Sequence, residues 1–324
     1  SIPFFLYPDV QWAFPRLRDV VNDMAGFNPD VVHVATEFSL GVVGVKAARQ
    51  LGVPVVASAH TDYDQYAARY GVPWALRAGW HYLRWFYSQA HRVLCPSRVY
   101  EEHLHSHGVT HTGIWTRGVD PEVFAPRFRS AAYRERFGAV RGDLLVTYIG
   151  RLAREKNLDL LLEAWDMVVP ERGSAQLVLV GQGPLEEEIR RREIPGVHVP
   201  GLLHGRELAE AYASADLFAF PSTTETFGNS LLEAMGSGLP PLVAAAGGVL
   251  EFAEHGENAW LVQPDSATAI AEGLVRLLND EALRRRLARG ALNAARARDW
   301  NAVYEGLIAD YRAAMEAKGV ERAA

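Results

Sequence analysis

The sequence has a single cysteine, Cys95, among 324 residues. A disulfide framework and a cysteine-ligated metal site are therefore excluded, and such low usage is typical of a reducing cytoplasm. No apolar run is long enough to span a bilayer, and no secretory signal opens the printed sequence. We expect a cytoplasmic protein that is soluble or bound at the inner face of the membrane.

Positive charge is also in short supply, and it is unevenly divided. The net charge is −6, but residues 1–141 carry 15 Lys+Arg against 12 Asp+Glu, a net +3, whereas the remainder carries 18 against 27, a net −9. The first part is therefore suited to an anionic partner or surface. A hydrophobic fraction of 49% and a charged fraction of 22% are those of a soluble globular enzyme.

Predicted strands alternate with predicted helices along the chain. Apolar runs in the first part predict strands at 29–35, 53–60, 92–96 and 113–116. The alternation restarts at Asp143, with strands expected at 144–149, 176–180, 197–199, 217–220, 242–245 and 260–262. Repeated βαβ units predict an α/β fold with parallel sheets, and the chain length favours two domains.

We predict two doubly wound, Rossmann-like domains, at residues 1–141 and 142–300, with a polar linker at 134–143. The tail from Leu274 to Ala324 is expected to be almost wholly helical. Ligands should bind at the carboxyl ends of the strands, as in other doubly wound sheets.

The segment from Phe218 to Pro240 predicts a strand, a loop and a helix that resumes at Gly228. The helix N-terminus would point into the loop, where free N–H groups and the macrodipole favour an anion such as a diphosphate. Glu225 in the loop and Glu233 in the helix, with seven residues between them, flank that position. Because carboxylates repel phosphates, we expect them to accept hydrogen bonds from hydroxyls of a sugar and a ribose.

This Glu-x7-Glu pattern, together with Pro221-Ser222, Thr226-Phe227-Gly228 and a Gly-x-Gly-Leu-Pro exit, resembles the signature of the family 4 retaining glycosyltransferases. Within that family the chain looks most similar to GDP-mannose-dependent α-mannosyltransferases and sulfoquinovosyl transferases. The resemblance implies the GT-B fold, in which two Rossmann-like domains face a cleft. It also implies that the last helix, within residues 301–324, returns to the first domain.

Family members carry a strand, a glycine-rich loop and a long helix before the segment that matches Tyr7 onward. We therefore expect the first domain of this chain to lack its N-terminal strands.

The loop that follows the first strand of the second domain contains three residues that are predicted to bind the donor. Gly150 permits a close backbone turn, Arg151 offers a rigid fork for phosphate oxygens, and Lys156 adds a point charge. The segment resembles the Gly-Arg-Leu-x-x-x-Lys run of the family, whose Arg and Lys hold the donor diphosphate. Because preorganised cations stabilise a departing diphosphate, we expect no metal at the donor.

Neighbouring loops supply further predicted donor contacts. Gly181 and Gly183 form a tight glycine turn after a strand, which either lines the donor pocket or serves the turn alone. Leu203 lies in a loop that corresponds, in the family, to a position near the nucleobase. The start of the helix after Glu225 adds Thr226, Phe227, Gly228 and Asn229.

The first domain is predicted to supply the acceptor side. His60 ends a strand, and the family has a histidine there, close to the transferred sugar; we predict His60 and Glu225 as the catalytic residues. Asp62 follows closely on the acceptor side. Arg117, in a Thr-Arg-Gly-Val-Asp run that also resembles the family, is predicted to meet an anionic acceptor, while Asp120 fixes the turn.

Two patterns in the first domain are typical of metal sites. Asp62-Tyr-Asp64 mimics the Asp-x-Asp motif of the other glycosyltransferase architecture, but it lies in the wrong domain for the donor. His103 and His107 are spaced i, i+4, which suits zinc, although a solvated helix end is the favoured interpretation. We predict no metal at either.

The segment from Trp74 to Tyr87 is dense in aromatic residues, with Arg77, His81 and Arg84 on one helical face. A basic stripe beside aromatic rings suits an anionic membrane interface, whereas broad aromatic faces usually pack inside.

The sequence thus predicts a retaining, metal-independent glycosyltransferase without a cofactor. Its partners would be a nucleoside-diphosphate sugar, preferably GDP-mannose, and a lipid or glycan acceptor, with no nucleic acid. Retention is implied by the family, and it suggests a front-face route in which the leaving diphosphate accepts the acceptor's proton. The alternatives are a UDP-hexose-dependent glucosyl- or sulfoquinovosyl-type transferase, a sugar-nucleotide 2-epimerase, and a non-catalytic nucleotide-sugar-binding subunit.

Overall fold

The computed structural model describes residues 2–4, 7–65, 74, 76–140, 142–171 and 173–319, so residues 320–324 of the predicted helical tail lie outside the described residues. The chain divides into two compact units. The N-terminal unit comprises Ser1–Thr116 and Val303–Ala324, and the C-terminal unit comprises Arg117–Ala302. No described helix is both long and apolar enough to cross a membrane.

The division falls after Thr116, earlier than the predicted linker at 134–143. Residues in the expected linker pack into the C-terminal unit, because Phe137 and Ala139 belong to its hydrophobic core. Arg134 Nη1 and Asp216 Oδ2 lie 2.7 Å apart, which also fastens this segment to the C-terminal sheet. Composition suggested a polar connection, but the apolar side chains of Phe137 and Ala139 place the segment in the C-terminal core.

The N-terminal unit contains a four-stranded parallel sheet and a separate two-stranded antiparallel sheet. The parallel sheet has the order β3-β4-β5-β6 and the antiparallel sheet pairs β1 with β2. The strands are β1 (Ile2–Phe4), β2 (Tyr7–Trp12), β3 (Val32–Val34), β4 (Val55–Ser58), β5 (Arg92–Cys95) and β6 (Thr112–Ile114). The helices are α1 (Leu17–Phe27), α2 (Ser39–Leu51), α3 (Leu76–Tyr87) and α4 (Arg98–Ser106).

The C-terminal unit has a six-stranded sheet in the order β12-β11-β10-β7-β8-β9, with every pair parallel. Its strands are β7 (Leu145–Ile149), β8 (Gln176–Val180), β9 (Val197–Gly201), β10 (Leu217–Phe220), β11 (Pro241–Ala244) and β12 (Trp260–Val262). Its helices are α5 (Ala131–Glu135), α6 (Leu158–Met167), α7 (Glu186–Arg191), α8 (Gly205–Ser214), α9 (Asn229–Gly236), α10 (Ala267–Asn279) and α11 (Glu281–Arg296).

These two parallel α/β units confirm the predicted fold class of two doubly wound, Rossmann-like domains. Strands β7, β10 and β11 are buried along their whole length, as expected for strands covered on both faces.

The last helix, α12 (Trp300–Lys318), begins in the C-terminal unit and joins the N-terminal unit from Val303 onward. Its Leu307 and Ala314 pack against Val56 and Leu94, which lie on the central strands of the N-terminal sheet. Asp310 also forms an ion pair with an arginine of β5. The helix is therefore an integral part of the N-terminal core.

Candidate functional site

The order of the C-terminal sheet reverses beside β7. From β7 the chain moves outward through β8 to β9, and it then returns to β10 on the other side of β7. The loops after β7 and β10 therefore leave adjacent strands at the carboxyl edge and continue in opposite directions. In open parallel sheets this switch point is where ligands bind.

The loops after β7 and β10 bring together a cation and an anion that are far apart in sequence. Lys156 Nζ lies 2.6 Å from Glu225 Oε1, and the two side chains are only 16% and 18% exposed. Arg151 belongs to the same loop as Lys156, and its Nη1 lies 3.7 Å from an oxygen of the fully buried Glu155. Three predicted residues, Arg151, Lys156 and Glu225, thus lie on the two loops of the switch point.

Hydrogen bonds hold the two loops to each other. Asn157 is buried, and its φ of 55° lies in the left-handed region, which few residues other than glycine adopt. Its Nδ2 donates to the carbonyl of Pro221 at 3.1 Å and to Asp265 Oδ1 at 2.8 Å. Thr224 Oγ1 donates to the carbonyl of Glu155 at 3.2 Å. Sequence reasoning missed Asn157 and Asp265, because their pairing joins distant segments of the chain.

Two further residues missed from the sequence are Gly247 and Gly248, which support the loop of Glu225 from beneath. The N–H of Gly248 donates to the carbonyl of Glu225 at 2.7 Å. A Cβ at Gly248 would lie 2.0 Å from the carbonyl oxygen of Thr226, and one at Gly247 would lie 2.6 Å from that of Glu225. The signal was a Gly-Gly pair after β11, where close backbone approach requires glycine.

Helix α9 begins directly after this loop. Gly228, its N-cap, has φ 100°, a left-handed conformation that favours glycine. Phe227 is buried in the core, which fixes the loop, and Thr226 and Asn229 flank the cap. The strand, loop and helix predicted here are therefore present, and the first N–H groups of a helix have no partner within the helix.

Glu233 lies further along α9, in contact with Tyr212 of α8. The Tyr212 hydroxyl donates to Glu233 Oε2 at 2.7 Å. Burial raises the pKa of Glu233, although the hydrogen bond from Tyr212 acts in the opposite direction. Burial also raises the pKa of Tyr212 well above its ordinary value, so the phenol stays a donor.

The raised pKa of Glu233 predicts a pH-dependent contribution to stability. A carboxyl whose pKa is higher in the folded than in the unfolded state favours folding when protonated, and that contribution is lost as pH rises through the folded pKa. In the Glu233→Gln variant the side chain does not ionise, so this loss of stability with rising pH disappears. The glutamine carbonyl can still accept the hydrogen bond from the Tyr212 hydroxyl. We expect the melting temperature of the variant, relative to that of the unsubstituted protein, to rise between pH 4.5 and pH 7.

The matched control is Glu122→Gln, at a side chain that is 83% exposed. Its melting temperature should follow that of the unsubstituted protein across the same pH range. A Glu233→Gln variant whose relative melting temperature stays flat or falls over this range would contradict the buried-carboxyl account.

The predicted glycine turn after β8 packs against the loop after β7. The N–H of Gly150 donates to the carbonyl of Val180 at 3.0 Å, and a Cβ at Gly181 would lie 2.0 Å from the carbonyl oxygen of Gly150. A Cβ at Gly183 would lie 2.4 Å from the carbonyl oxygen of Leu152. This close approach accounts for both glycines structurally, and their contact with a donor stays a prediction. Leu203, buried after β9, stays a prediction as well.

The predicted acceptor-side residues belong to different units. His60 follows β4 in the N-terminal unit, and its ring centroid lies 5.9 Å from that of Trp115, which follows β6. Asp62 is buried, and its carboxylate accepts hydrogen bonds from the backbone and side chain of Gln65 at 3.1 and 3.0 Å. Arg117 was predicted in the first domain but is the first residue of the C-terminal unit, where burial lowers its pKa.

A buried carboxylate near the carboxyl edge of the N-terminal sheet was also missed. Glu37 follows β3 and is 5% exposed. It accepts hydrogen bonds from the hydroxyls of Tyr87 at 2.6 Å and Tyr63 at 2.9 Å. Burial raises the pKa of Glu37, whereas the hydrogen bonds from Tyr87 and Tyr63 act in the opposite direction.

Helix α3 carries the aromatic residues of the predicted membrane segment. Trp80 and Phe86 are buried in the N-terminal core, so part of the aromatic face packs inside. Arg77, His81 and Arg84 are exposed. Their contact with an anionic membrane stays a prediction.

Comparisons with known proteins agree with this geometry. Residues 130–294 match the family described as Glycosyl transferases group 1, and residues 1–161 match Glycosyltransferase Family 4. A GDP-mannose-dependent alpha-mannosyltransferase of Mycobacterium tuberculosis is 34% identical over 96% of this chain and 81% of its own length. Sulfoquinovosyl transferase SQD2 of Arabidopsis thaliana is 33% identical over 93% of this chain and 60% of its own length.

A solved structure of Anabaena HepE, in complex with UDP and glucose, has a TM-score of 0.76 at 21% identity. The match covers 93% of this chain and 84% of HepE, and it bears on the fold. The fold, the two family matches and relatives more than 30% identical over most of their length agree. The chain therefore belongs to the glycosyltransferases of group 1 and family 4, and it has the GT-B fold.

Proposed function

We propose that this glycosyltransferase transfers a hexose, preferably mannose from GDP-mannose, to a lipid or lipid-linked glycan acceptor with retention of anomeric configuration and without a metal at the donor. The observation that carries the proposal is the contact between Lys156 and Glu225 at the switch point of the C-terminal sheet. GDP-mannose is favoured because the mannosyltransferase of M. tuberculosis is a relative at 34% identity.

The proposed roles follow from charge and position. Arg151 and Lys156 bind the diphosphate, since they are cations on the loop after β7 and α9 presents N–H groups from the adjacent loop. Glu225 accepts a hydrogen bond from a hydroxyl of the transferred sugar, and Glu233 accepts one from the ribose. His60 is assigned, on the resemblance to the family, to hydrogen bonding of the sugar.

Lys156 is paired with Glu225 in the structure, so donor binding must change that pair. A diphosphate adds negative charge near the lysine, while a sugar hydroxyl offers Glu225 a neutral donor in its place. We propose that the pair holds both side chains in position until the donor replaces each partner. Such preorganisation lowers the cost of arranging charge during the reaction.

In the proposed reaction the bond between the anomeric carbon and the diphosphate oxygen breaks as the acceptor oxygen forms its bond on the same face. The acceptor's proton passes to the leaving diphosphate. Arg151 and Lys156 stabilise the negative charge that develops there, which is the work a metal performs in other transferases. Product analysis by NMR tests retention, and a rate that does not rise with added Mg²⁺ or Mn²⁺ supports metal independence.

A thermal-shift comparison of GDP, UDP and ADP sugars tests the donor. A ligand that binds only the native state stabilises it by about 2.7 kcal/mol at about 100 times its Kd. We expect GDP-mannose to give the largest upward shift, and Arg151→Gln to reduce it. Arg154→Gln is the matched control, because Arg154 is an exposed arginine in the same loop.

Each outcome of this comparison is informative. A larger shift with a UDP sugar would replace the donor by a UDP-hexose, which is the second candidate. Binding without transfer to any acceptor would indicate a non-catalytic subunit, and interconversion of the sugar without acceptor would indicate an epimerase. Equal shifts for Arg151→Gln and Arg154→Gln would contradict the diphosphate role of Arg151.

A further inference from the structure

We propose that Asp64, His103 and His107 of the N-terminal unit bind a divalent transition-metal ion, with Zn²⁺ as the favoured species. Sequence analysis favoured a solvated helix end for the two histidines and predicted no metal. The structure instead brings one ligand atom from each of the three side chains within 4.8 Å of one another. This inference is independent of sugar transfer.

The distances from the Asp64 carboxylate to the two histidine nitrogens suit a tetrahedral ion. His103 Nε2 and His107 Nε2 each lie 3.3 Å from Asp64 Oδ2. Zinc binds nitrogen and oxygen at about 2.0–2.2 Å, and the edge of a tetrahedron with such bonds is about 3.3–3.5 Å long. The ion therefore needs little rearrangement of the Asp64 carboxylate relative to either imidazole.

The histidine atoms are also oriented for metal binding. The Nδ1 of His107 lies 3.0 Å from the backbone carbonyl of His103. Since a carbonyl can only accept, Nδ1 carries the hydrogen, and in the neutral ring the lone pair is then on Nε2. His103 Nε2 is a buried atom that lies within ion-pair distance of Asp64 Oδ2 but makes no hydrogen bond within the described part of the chain.

Trp80 contacts two of the three proposed metal ligands, Asp64 and His107. Its indole Nε1 donates to Asp64 Oδ1 at 2.6 Å, which leaves Oδ2 facing the imidazoles. Its ring stacks on that of His107, with centroids 3.7 Å apart and planes 15° from parallel. Partners of this kind orient metal ligands in proteins, and their loss typically lowers metal affinity 10–100-fold.

The composition of the cluster sets the class of ion. Two imidazoles and one carboxylate suit zinc and its neighbours in the first transition row, whereas Mg²⁺ and Ca²⁺ prefer sites made of oxygen alone. Asp62 is not counted as a ligand, because its carboxylate is engaged by Gln65 and lies 3.8 Å from His103 Nε2. Three protein ligands leave the fourth tetrahedral position for water or another small ligand.

An ion here would join two segments that leave the same sheet. His103 lies on α4 and His107 directly follows it, while Asp64 belongs to the segment after β4 that also carries His60. The metal would therefore cross-link that segment to α4. The alternative is a cluster in which the two imidazoles contact the carboxylate directly, without an ion, and the experiment distinguishes the two.

Titration calorimetry with Zn²⁺, on the full chain without a polyhistidine tag, tests the site. We expect one ion per chain, and Co²⁺ in its place should give the visible absorption of a tetrahedral site. His103→Gln and His107→Gln should each lower affinity at least tenfold, and Trp80→Phe, which keeps an aromatic ring but removes the donor, about tenfold. His105→Gln is the matched control, because His105 lies on the same helix and its Nε2 is 2.7 Å from Thr112 Oγ1.

Melting curves without metal show whether each variant is folded, and a single folded ligand variant is enough for the comparison. The proposal is overturned if the unsubstituted protein binds no stoichiometric Zn²⁺. It is also overturned if a folded His103→Gln or His107→Gln variant binds as tightly as the unsubstituted protein, or if His105→Gln loses as much affinity as they do.

Discussion

Replacing Lys156 by glutamine should lower kcat/KM for sugar transfer by about 10²–10³-fold, the usual cost of removing one preorganised group that stabilises transition-state charge. Lys156 is 16% exposed and lies 2.6 Å from Glu225 Oε1. Its ammonium is thus held in a partly water-excluded position, where a charge interacts more strongly than at the surface. Glutamine keeps a hydrogen-bond donor but removes the charge.

The variant will also be less stable, because Glu225 loses its partner while remaining largely buried. A double-mutant cycle separates the two effects. Lys156→Gln/Glu225→Gln removes the unpaired carboxylate and should recover the melting temperature, whereas transfer should stay as low as in Lys156→Gln or fall further. The matched control is Lys46→Gln, at an exposed lysine of α2.

Steady-state kinetics with the donor selected by thermal shift measures the effect. Full activity in a folded Lys156→Gln variant would exclude the leaving-group role. Recovery of activity along with stability in the double variant would show that the lysine acts only through the fold.

The sequence was informative where a single segment decides the structure. Alternating apolar runs predicted the parallel strands of both units, because buried parallel strands are nearly continuous apolar runs. Helix α2 ends at Gly52, which has φ 72°, and a glycine at a helix end is such a local signal. The segment from Phe218 to Pro240 was correctly predicted as strand, loop and helix.

Contacts between residues that are far apart in the chain could not be predicted from the sequence. The bond from Asn157 to Asp265 spans 108 positions, and no local pattern marks either residue. The pairing of β1 with β2 was missed, because the opening residues show no apolar periodicity that marks strands. For the same reason His103 and His107 were recognised as a pair on a helix, but Asp64 was not connected to them.

The places of site residues were predictable only as far as a family motif reaches, and their roles stay predictions. Arg151, Lys156 and Glu225 were identified from motifs, and the structure places them on the two loops at the switch point. Gly247 and Gly248 escaped notice, because a glycine pair after a strand is common and its purpose depends on which backbone approaches it. The mechanical support of the Glu225 loop is therefore visible only in three dimensions.

That support gives a prediction with a large effect on both stability and activity: Gly248→Ala should destabilise the fold by about 1–3 kcal/mol, the usual cost of overpacking. A Cβ at this position would lie 2.0 Å from the carbonyl oxygen and 2.2 Å from the carbonyl carbon of Thr226. These are backbone atoms, so the clash cannot be relieved by a side-chain rotation. The loop must move, and the bond from the Gly248 N–H to the Glu225 carbonyl moves with it.

Because this loop carries Glu225, a displacement of about 1 Å should reduce kcat/KM by about 10²-fold. The matched control is Gly79→Ala on α3, where an added Cβ meets no atom of the described residues within 4 Å. At that site alanine should leave activity unchanged and stabilise the helix by about 0.5–1 kcal/mol. Denaturant unfolding and steady-state kinetics on both variants measure these effects. A Gly248→Ala protein as stable and as active as Gly79→Ala would show that the Glu225 loop does not depend on the close backbone contact, because the same methyl group would then be tolerated where the structure leaves no room for it.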